Sequence, residues 1–412
     1  MLAGCASNTP RRPTATPATA AASPDASAPE PSRPTLAPPP AAQLDALQAL
    51  LARGPAVIVR NPDGGADARI TMMHRARAPL ALLRRTIATP AEYTRFMPIL
   101  RDVEILSTHG TRTGFRFDVA APLFNVSALC EMRVVGERRV DVEITESETG
   151  PGASRWDFFA DGADATTVVL TTWGDPSRGH WLLRQFARRS PASIAGMNIA
   201  VDSVLVLGAS RSAEIAAGAQ LPMRPERGDA PAGELQPPPH GAWEGITREA
   251  TVLSMLMTPE GATRQVSVSA WTSVAPEVVM ARLRDVEHYT RVWGSYREVE
   301  RLPPDPSDPP GSVRFRSRAE TPLSRLEGVQ RARFEERTAW HEGISGDYVG
   351  ESHRFDLTPD PEGGTVVTLT GGTDLTRAGF VTRALIARDP WLVTGFAGSW
   401  KIVWLRHLLR GL

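Results

Sequence analysis

Cysteine is almost missing from this chain. There are two in 412 residues, Cys5 and Cys130, and so few, so far apart, make no disulfide framework. Lysine is nearly absent beside arginine, and 46 basic residues cancel 46 acidic ones. A chain without net charge or a clustered basic surface is not built for nucleic acid. No apolar run reaches the roughly 18 residues a membrane-spanning helix needs; the longest candidate, "SIAGMNIAVDSVLVLGAS", is interrupted by Asn198 and Asp202. The usual catalytic signatures are missing as well. There is no GxSxG, no Walker loop, no GxGxxG and no metal-ligand spacing among the eight histidines, so neither a cofactor nor a metal is expected.

What the chain does contain is itself, twice. "AEYTRFMP" at 91–98 returns as "EHYTRVWG" at 287–294, placing Tyr93 and Tyr289 196 positions apart. The same offset carries Leu82, Leu83 and Ile87 onto Val278, Val279 and Leu283. Further on, with the offset drifting as loops differ, Arg116-Phe117 matches Arg314-Phe315, Pro122-Leu123 matches Pro322-Leu323, and "RSP" at 189–191 matches "RDP" at 388–390. Solenoid repeats run at about 20–50 residues, so a period this long means two tandem domains. The division that follows is 44–217 and 241–412, with the Pro-, Gly- and charge-rich 218–240 as a linker. Each half carries its own strands and closing helix, so each is expected to fold alone; the opposing arrangement packs the two long helices together across an apolar interface.

Residues 1–43 differ from the rest. From Asn8 to Ala42 the chain is dominated by Pro, Ala, Ser and Thr, which bury too little apolar surface to order, and it reads as a disordered tether. Leu2-Ala3-Gly4-Cys5 stands before it and resembles the lipobox of bacterial lipoproteins, which implies lipidation of Cys5 and a periplasm-facing, membrane-anchored protein. If Met1 is the true start, the expectation is a cytoplasmic one.

Within each half the periodicity changes in the same order. The first opens with an amphipathic helix, "ALQALLAR", and two strands, "AVIV" and "RITMMHRA". A helix follows Pro79, then a short one carrying Tyr93, then strands near 101–107, 113–120, 125–135, 139–147, 154–160 and 166–173, then a helical stretch at about 179–216. The second half repeats this, with strands near 264–274, 312–319, 324–335, 339–345, 351–358 and 364–371 and a closing helix at about 377–410. The class is α+β.

The segments "APLALLRRTIATPAEYTRFMP" and "VAPEVVMARLRDVEHYTRVWG", each followed by many strands and a long last helix, resemble the SRPBCC or START-like superfamily, in particular its polyketide cyclase and coenzyme Q-binding branch. The resemblance implies two tandem helix-grip domains, each a curved antiparallel sheet wrapped around a long C-terminal helix, with an apolar cavity between them. The superfamily hosts carriers, cyclases, receptors and assembly proteins, so it implies no single chemistry.

Alternation along the strands says which residues would line such cavities. Phe115 and Phe117, Val142, and Trp156 share inner faces in the first half, and Met197 lies on its long helix. Phe315, Phe334 and Phe355 do so in the second, where Phe396, Trp400 and Trp404 form an i, i+4, i+8 stripe. Cys130 reads as a small buried apolar residue. No catalytic residue is assigned; Gln330, Glu342 and His353 are the candidates that would matter if they converge in one pocket. Tyr93 and Tyr289 are expected to pack their rings at a helix corner with their hydroxyls in water. These residues point to binding or transport of an apolar small molecule or lipid. The alternatives are a polyketide cyclase or dehydratase, and a scaffold whose cavities are filled by their own side chains.

Overall fold

The computed structural model describes residues 36–61, 69–120, 125–181, 191–225, 234–321, 324–372 and 380–412, with the single positions 184, 185 and 188. Cys5, and the tether expected behind it up to residue 35, lie outside the described residues, as do positions 226–233 of the expected linker.

The strands are β1 (Ala56–Arg60), β2 (Arg69–Ala76), β3 (Leu100–His109), β4 (Arg112–Ala120), β5 (Asn125–Val135), β6 (Arg139–Ser147), β7 (Gly152–Ala160) and β8 (Thr166–Gly174) in the first half. In the second they are β9 (Thr251–Met257), β10 (Thr263–Thr272), β11 (Tyr296–Leu302), β12 (Val313–Thr321), β13 (Ser324–Phe334), β14 (Thr338–Gly346), β15 (Ser352–Pro359) and β16 (Thr365–Gly372). All belong to one antiparallel 16-stranded sheet, ordered β11-β12-β13-β14-β15-β16-β10-β9-β1-β2-β8-β7-β6-β5-β4-β3. Each half is thus a meander whose last strand returns beside its second. The helices are α1 (Ala41–Leu51), α2 (Leu80–Ile87), α3 (Tyr93–Phe96), α4 (Pro191–Ala216), α5 (Pro276–Arg284), α6 (Tyr289–Val292), α7 (Phe380–Arg388) and α8 (Leu392–Leu409). This is an α+β layout of two tandem halves, with α4 and α8 as the long helices packed on the sheet.

The halves meet along a two-fold axis that the register makes visible. Val57 pairs with Leu253, its own counterpart 196 positions on, while Ala56 faces Ser254 and Ile58 faces Val252. Both central strands are near-continuous apolar runs because both of their faces are covered. On one face lie α4 and α8. On the other, α1 and the 3-10 segment Ala242–Arg248 close a second core of Leu47, Leu50, Ile58, Val169, Trp243 and Val252.

The long helices cross where side chains are smallest. A Cβ on Gly196 would stand 2.0 Å from the Ser399 Cβ, and one on Gly395 would stand 2.2 Å from the Ala200 Cβ. Gly196 and Gly395 are corresponding positions, 199 apart, as are Ala200 and Ser399, so the crossing obeys the same two-fold axis. The residues Ile194–Ala216 are long and apolar enough to cross a membrane by length and composition, but most of that stretch is buried inside the protein. Further ties join the halves at the periphery: Arg211 on α4 donates to the Glu260 carbonyl at 2.7 Å, and Arg388 on α7 donates to the Pro98 carbonyl at 3.0 Å. This is the arrangement with packed long helices rather than two separate cores.

Several expectations shift in detail. The single closing helix expected at 377–410 is broken into α7 and α8 at Asp389-Pro390-Trp391, where the Asp389 carboxylate accepts the Trp391 amide at 3.0 Å. Strand β11 lies where no strand was expected. The match of Phe117 to Phe315 is off by two residues. Phe115 pairs with Cys130 as Phe315 pairs with Gln330, so Phe115 is the true counterpart and Phe117 corresponds to Ser317.

Candidate functional site

Each half positions its site through the same buried anchor. The Tyr93 hydroxyl donates to the Ile87 carbonyl at 2.6 Å, and Tyr289 donates to the Leu283 carbonyl. Both tyrosines are buried. The expectation of hydroxyls in water is therefore wrong: each closes the last turn of the preceding helix, α2 or α5, and its ring sits edge-on to Phe115 or Phe315. The Thr166 hydroxyl donating to Ala78, and its counterpart Thr365 donating to Val274, repeat the symmetry.

On the concave face a row of partners crosses the first sheet as Ile70, Thr172, Ser154, Val142, Met132 and Thr113. The corresponding row in the second half is Val266, Gly371, His353, His341, Ala332 and Val313. From the helices, Val201, Asp202 and Leu205 correspond to Trp400, Lys401 and Trp404; from the loops before β3 and β11, Met97 and Leu100 correspond to Trp293 and Tyr296. At most of these places the second half carries the larger side chain.

The consequence is a filled interior in the second half. Trp404 stacks on Trp293 with centroids 5.2 Å apart, lies 5.2 Å from the His353 ring, and is flanked by Trp400 at 5.4 Å. The Trp293 indole N–H donates to the Trp404 carbonyl at 2.9 Å. Gln330 donates to Ser317 at 2.7 Å and to the Tyr296 hydroxyl at 3.2 Å. Tyr348, from the turn between β14 and β15, folds in over Gly328; a Cβ on Gly343 would stand 1.6 Å from the Tyr348 carbonyl, so only glycine admits this turn. Phe315, Phe355 and Trp404 are fully buried, and Phe334, Phe396 and Trp400 are half-buried against the core.

His341 and Lys401 are both enclosed there. His341, 1% exposed, stands among Phe315, Phe334, Phe355 and Trp404. Its Nε2 lies 3.2 Å from the Tyr289 oxygen; since that hydroxyl donates to Leu283, Nε2 is the protonated nitrogen. Burial pushes the imidazole down to about 3, with neighbouring His353 acting in the same direction. Lys401, the one lysine of the chain, donates to the carbonyls of Gly372 at 3.3 Å and Ala397 at 3.4 Å. Its burial brings it down to about 8.

The three catalytic candidates do not converge. Gln330 and His353 point inward and are buried, whereas Glu342 is on the opposite face, paired with Arg331 and 41% exposed. The inward residue of that strand is His341. A one-residue slip in register exchanges the faces of a strand, and the sequence "TAWHEG" carries no clean alternation to prevent it.

The first half is open where the second is filled. Phe115 and Trp156 are buried, but Phe117, Val119, Val142, Ile144 and Ser154 on the concave face are only half-buried. Along α4, Leu205 is half-buried while Met197 and Val201 stand 38% and 43% exposed. These residues leave a partly exposed apolar surface on this face of the sheet and along α4. Asp202 lies beside them, 3% exposed, its carboxylate accepting the Thr172 hydroxyl at 2.8 Å. Burial pushes it up to about 7, offset in part by that hydrogen bond.

No family model matches the chain, and no curated protein matches it. Solved structures do. The di-domain ARO/CYC StfQ from the steffimycin biosynthetic pathway is 13% identical, with 81% of this chain and 97% of that one covered at a TM-score of 0.27. The Zhui aromatase/cyclase from a Streptomyces species is 19% identical over 37% of this chain and 98% of its own, with a TM-score of 0.29. A STAR-related lipid transfer protein from Xanthomonas axonopodis is 19% identical over 34% and 87%, with a TM-score of 0.27. Likeness at this level carries no inference about chemistry.

Proposed function

We propose that the protein binds an apolar small molecule or a lipid tail in the groove of its first half, and that the second half is a filled support that holds α4 in place. One observation carries this reading. At corresponding positions Val142, Val201 and Leu205 are partly or largely exposed, whereas His341 and Trp404 are buried and Trp400 is half-buried, so an apolar surface open to solvent in the first half is largely covered in the second. An apolar concavity with a few polar groups is the usual form of a small-molecule site.

The test is a titration with a neutral apolar fluorophore such as N-phenyl-1-naphthylamine. The wild-type protein binds it, and the double substitution Val142→His with Leu205→Trp, which copies the second half into the first, abolishes binding while the unfolding midpoint holds. Binding that survives the double substitution contradicts the assignment.

We also propose attachment to a membrane through Cys5, supported by the Leu2-Ala3-Gly4-Cys5 run before a Pro- and Ala-rich tether. Expressed with its natural upstream region, the protein then sediments with membranes, and Cys5→Ser moves it to the soluble fraction; an unchanged distribution contradicts the anchor.

A further inference from the structure

The two polar residues that interrupt the apolar run of α4 have no place in a purely apolar groove. Asn198 and Asp202 are one turn apart and so share a face of the helix. Asn198 is half-buried, and Asp202 reaches the sheet at Thr172, whose partner on β7 is Ser154. Thr172 and Ser154 are half-buried on the concave face. At the corresponding place in the filled half, Lys401 has both of its carbonyl acceptors supplied by the protein. Asp202 differs. One carboxylate oxygen accepts from Thr172, and among the described residues no other hydrogen bond and no basic side chain engages the group.

Resting on the reading of the first half as the ligand site, we infer that Asp202, with Thr172 and Ser154, forms a polar pole of the groove that selects an apolar molecule bearing a basic amine. A carboxylate removed from water without a counter-charge is costly to keep ionised. A ligand ammonium would supply both the missing charge and donors for the free oxygen, and charge-assisted bonds of this kind are the stronger ones. A neutral hydroxyl would satisfy the oxygen alone, and a carboxylate ligand would place like charges together. The buried position keeps Asp202 inert toward bulk ions while leaving it in reach of a group delivered along the groove.

The experiment displaces bound N-phenyl-1-naphthylamine from the full chain with dodecylamine, dodecanol or dodecanoate, each below its micellar concentration. The amine is expected to displace at about tenfold lower concentration than the alcohol, which corresponds to one charge-assisted hydrogen bond, and the acid to displace least. Asp202→Asn brings the amine to the level of the alcohol. Equal displacement by amine and alcohol in the wild type, or an amine preference that survives Asp202→Asn, overturns the inference while the groove stands. Failure of probe and alcohol alike to bind overturns the underlying reading instead. Should Asp202→Asn not fold, the wild-type ratio decides alone, and a ratio near one overturns the polar pole.

Discussion

Tyr93 and Tyr289 are each worth a hydrogen bond to a buried carbonyl, not only a packed ring. Removing the hydroxyl leaves that carbonyl without a donor, so Tyr93→Phe and Tyr289→Phe are each expected to cost about 1–3 kcal/mol in chemical unfolding; no loss would mean the carbonyls find other donors. The buried ionisable groups make a second test at this scale. His341, and His74 pushed down to about 4 by burial and by Arg211, have folded values below the ordinary one of about 6.5. Their contribution is present above pH 6.5 and is lost as pH falls toward 4. Asp202 has a raised folded value, so its contribution is present below its ordinary value of 3.8 and is lost as pH rises through about 7. The two effects oppose each other in one window and show only as differences. The gap between wild type and His341→Gln should narrow from pH 7 to pH 4, and Asp202→Asn should gain on wild type from pH 4 to pH 7. Gaps that do not change with pH contradict both. The repetition of Tyr-Thr-Arg was legible in sequence, but the carbonyl it serves was not, because a hydroxyl at a helix corner is satisfied equally well by water.

At the scale of elements, the strands were the most legible part. Runs such as "GFRFDV" alternate, and the turns between them are punctuated by Gly, Pro or Asp. Where alternation weakens, the reading fails: "TAWHEG" let Glu342 stand in for His341, and the repeat of "RF" misaligned Phe117. The crossing of α4 and α8 was open in sequence, because small residues four apart are common and only the fold sets Gly196 against Ser399 and Gly395 against Ala200. Neither crossing position has space for a side chain, since a Cβ would sit well inside contact distance. Gly196→Leu and Gly395→Leu are therefore each expected to destabilise by about 1–3 kcal/mol or more in urea unfolding, through forced overpacking. A midpoint shift smaller than that of a surface Ala→Leu control would place the two helices farther apart than they stand here.

The whole molecule is a fused pseudo-dimer in which β1 and β9 complete one sheet. Separated halves would expose two apolar strand edges, a face of each long helix and part of the core around Trp243. The full chain should accordingly unfold in one transition, and the segments 36–225 and 234–412 expressed alone should aggregate or associate; two transitions, or two soluble monomeric halves, would contradict a shared core. The duplication was evident from sequence, whereas the fate of each copy was not. Size at corresponding inward positions decides which half is open, and that comparison needs the strand registers. The central claim is that the open half holds the ligand. Photo-crosslinking with a dodecyl amine carrying a chain diazirine, followed by peptide mapping, tests it most directly. The account places the label on segments 113–119, 140–154 and 194–205. Labelling concentrated on 313–345 and 393–404, or spread evenly over both halves, would contradict it.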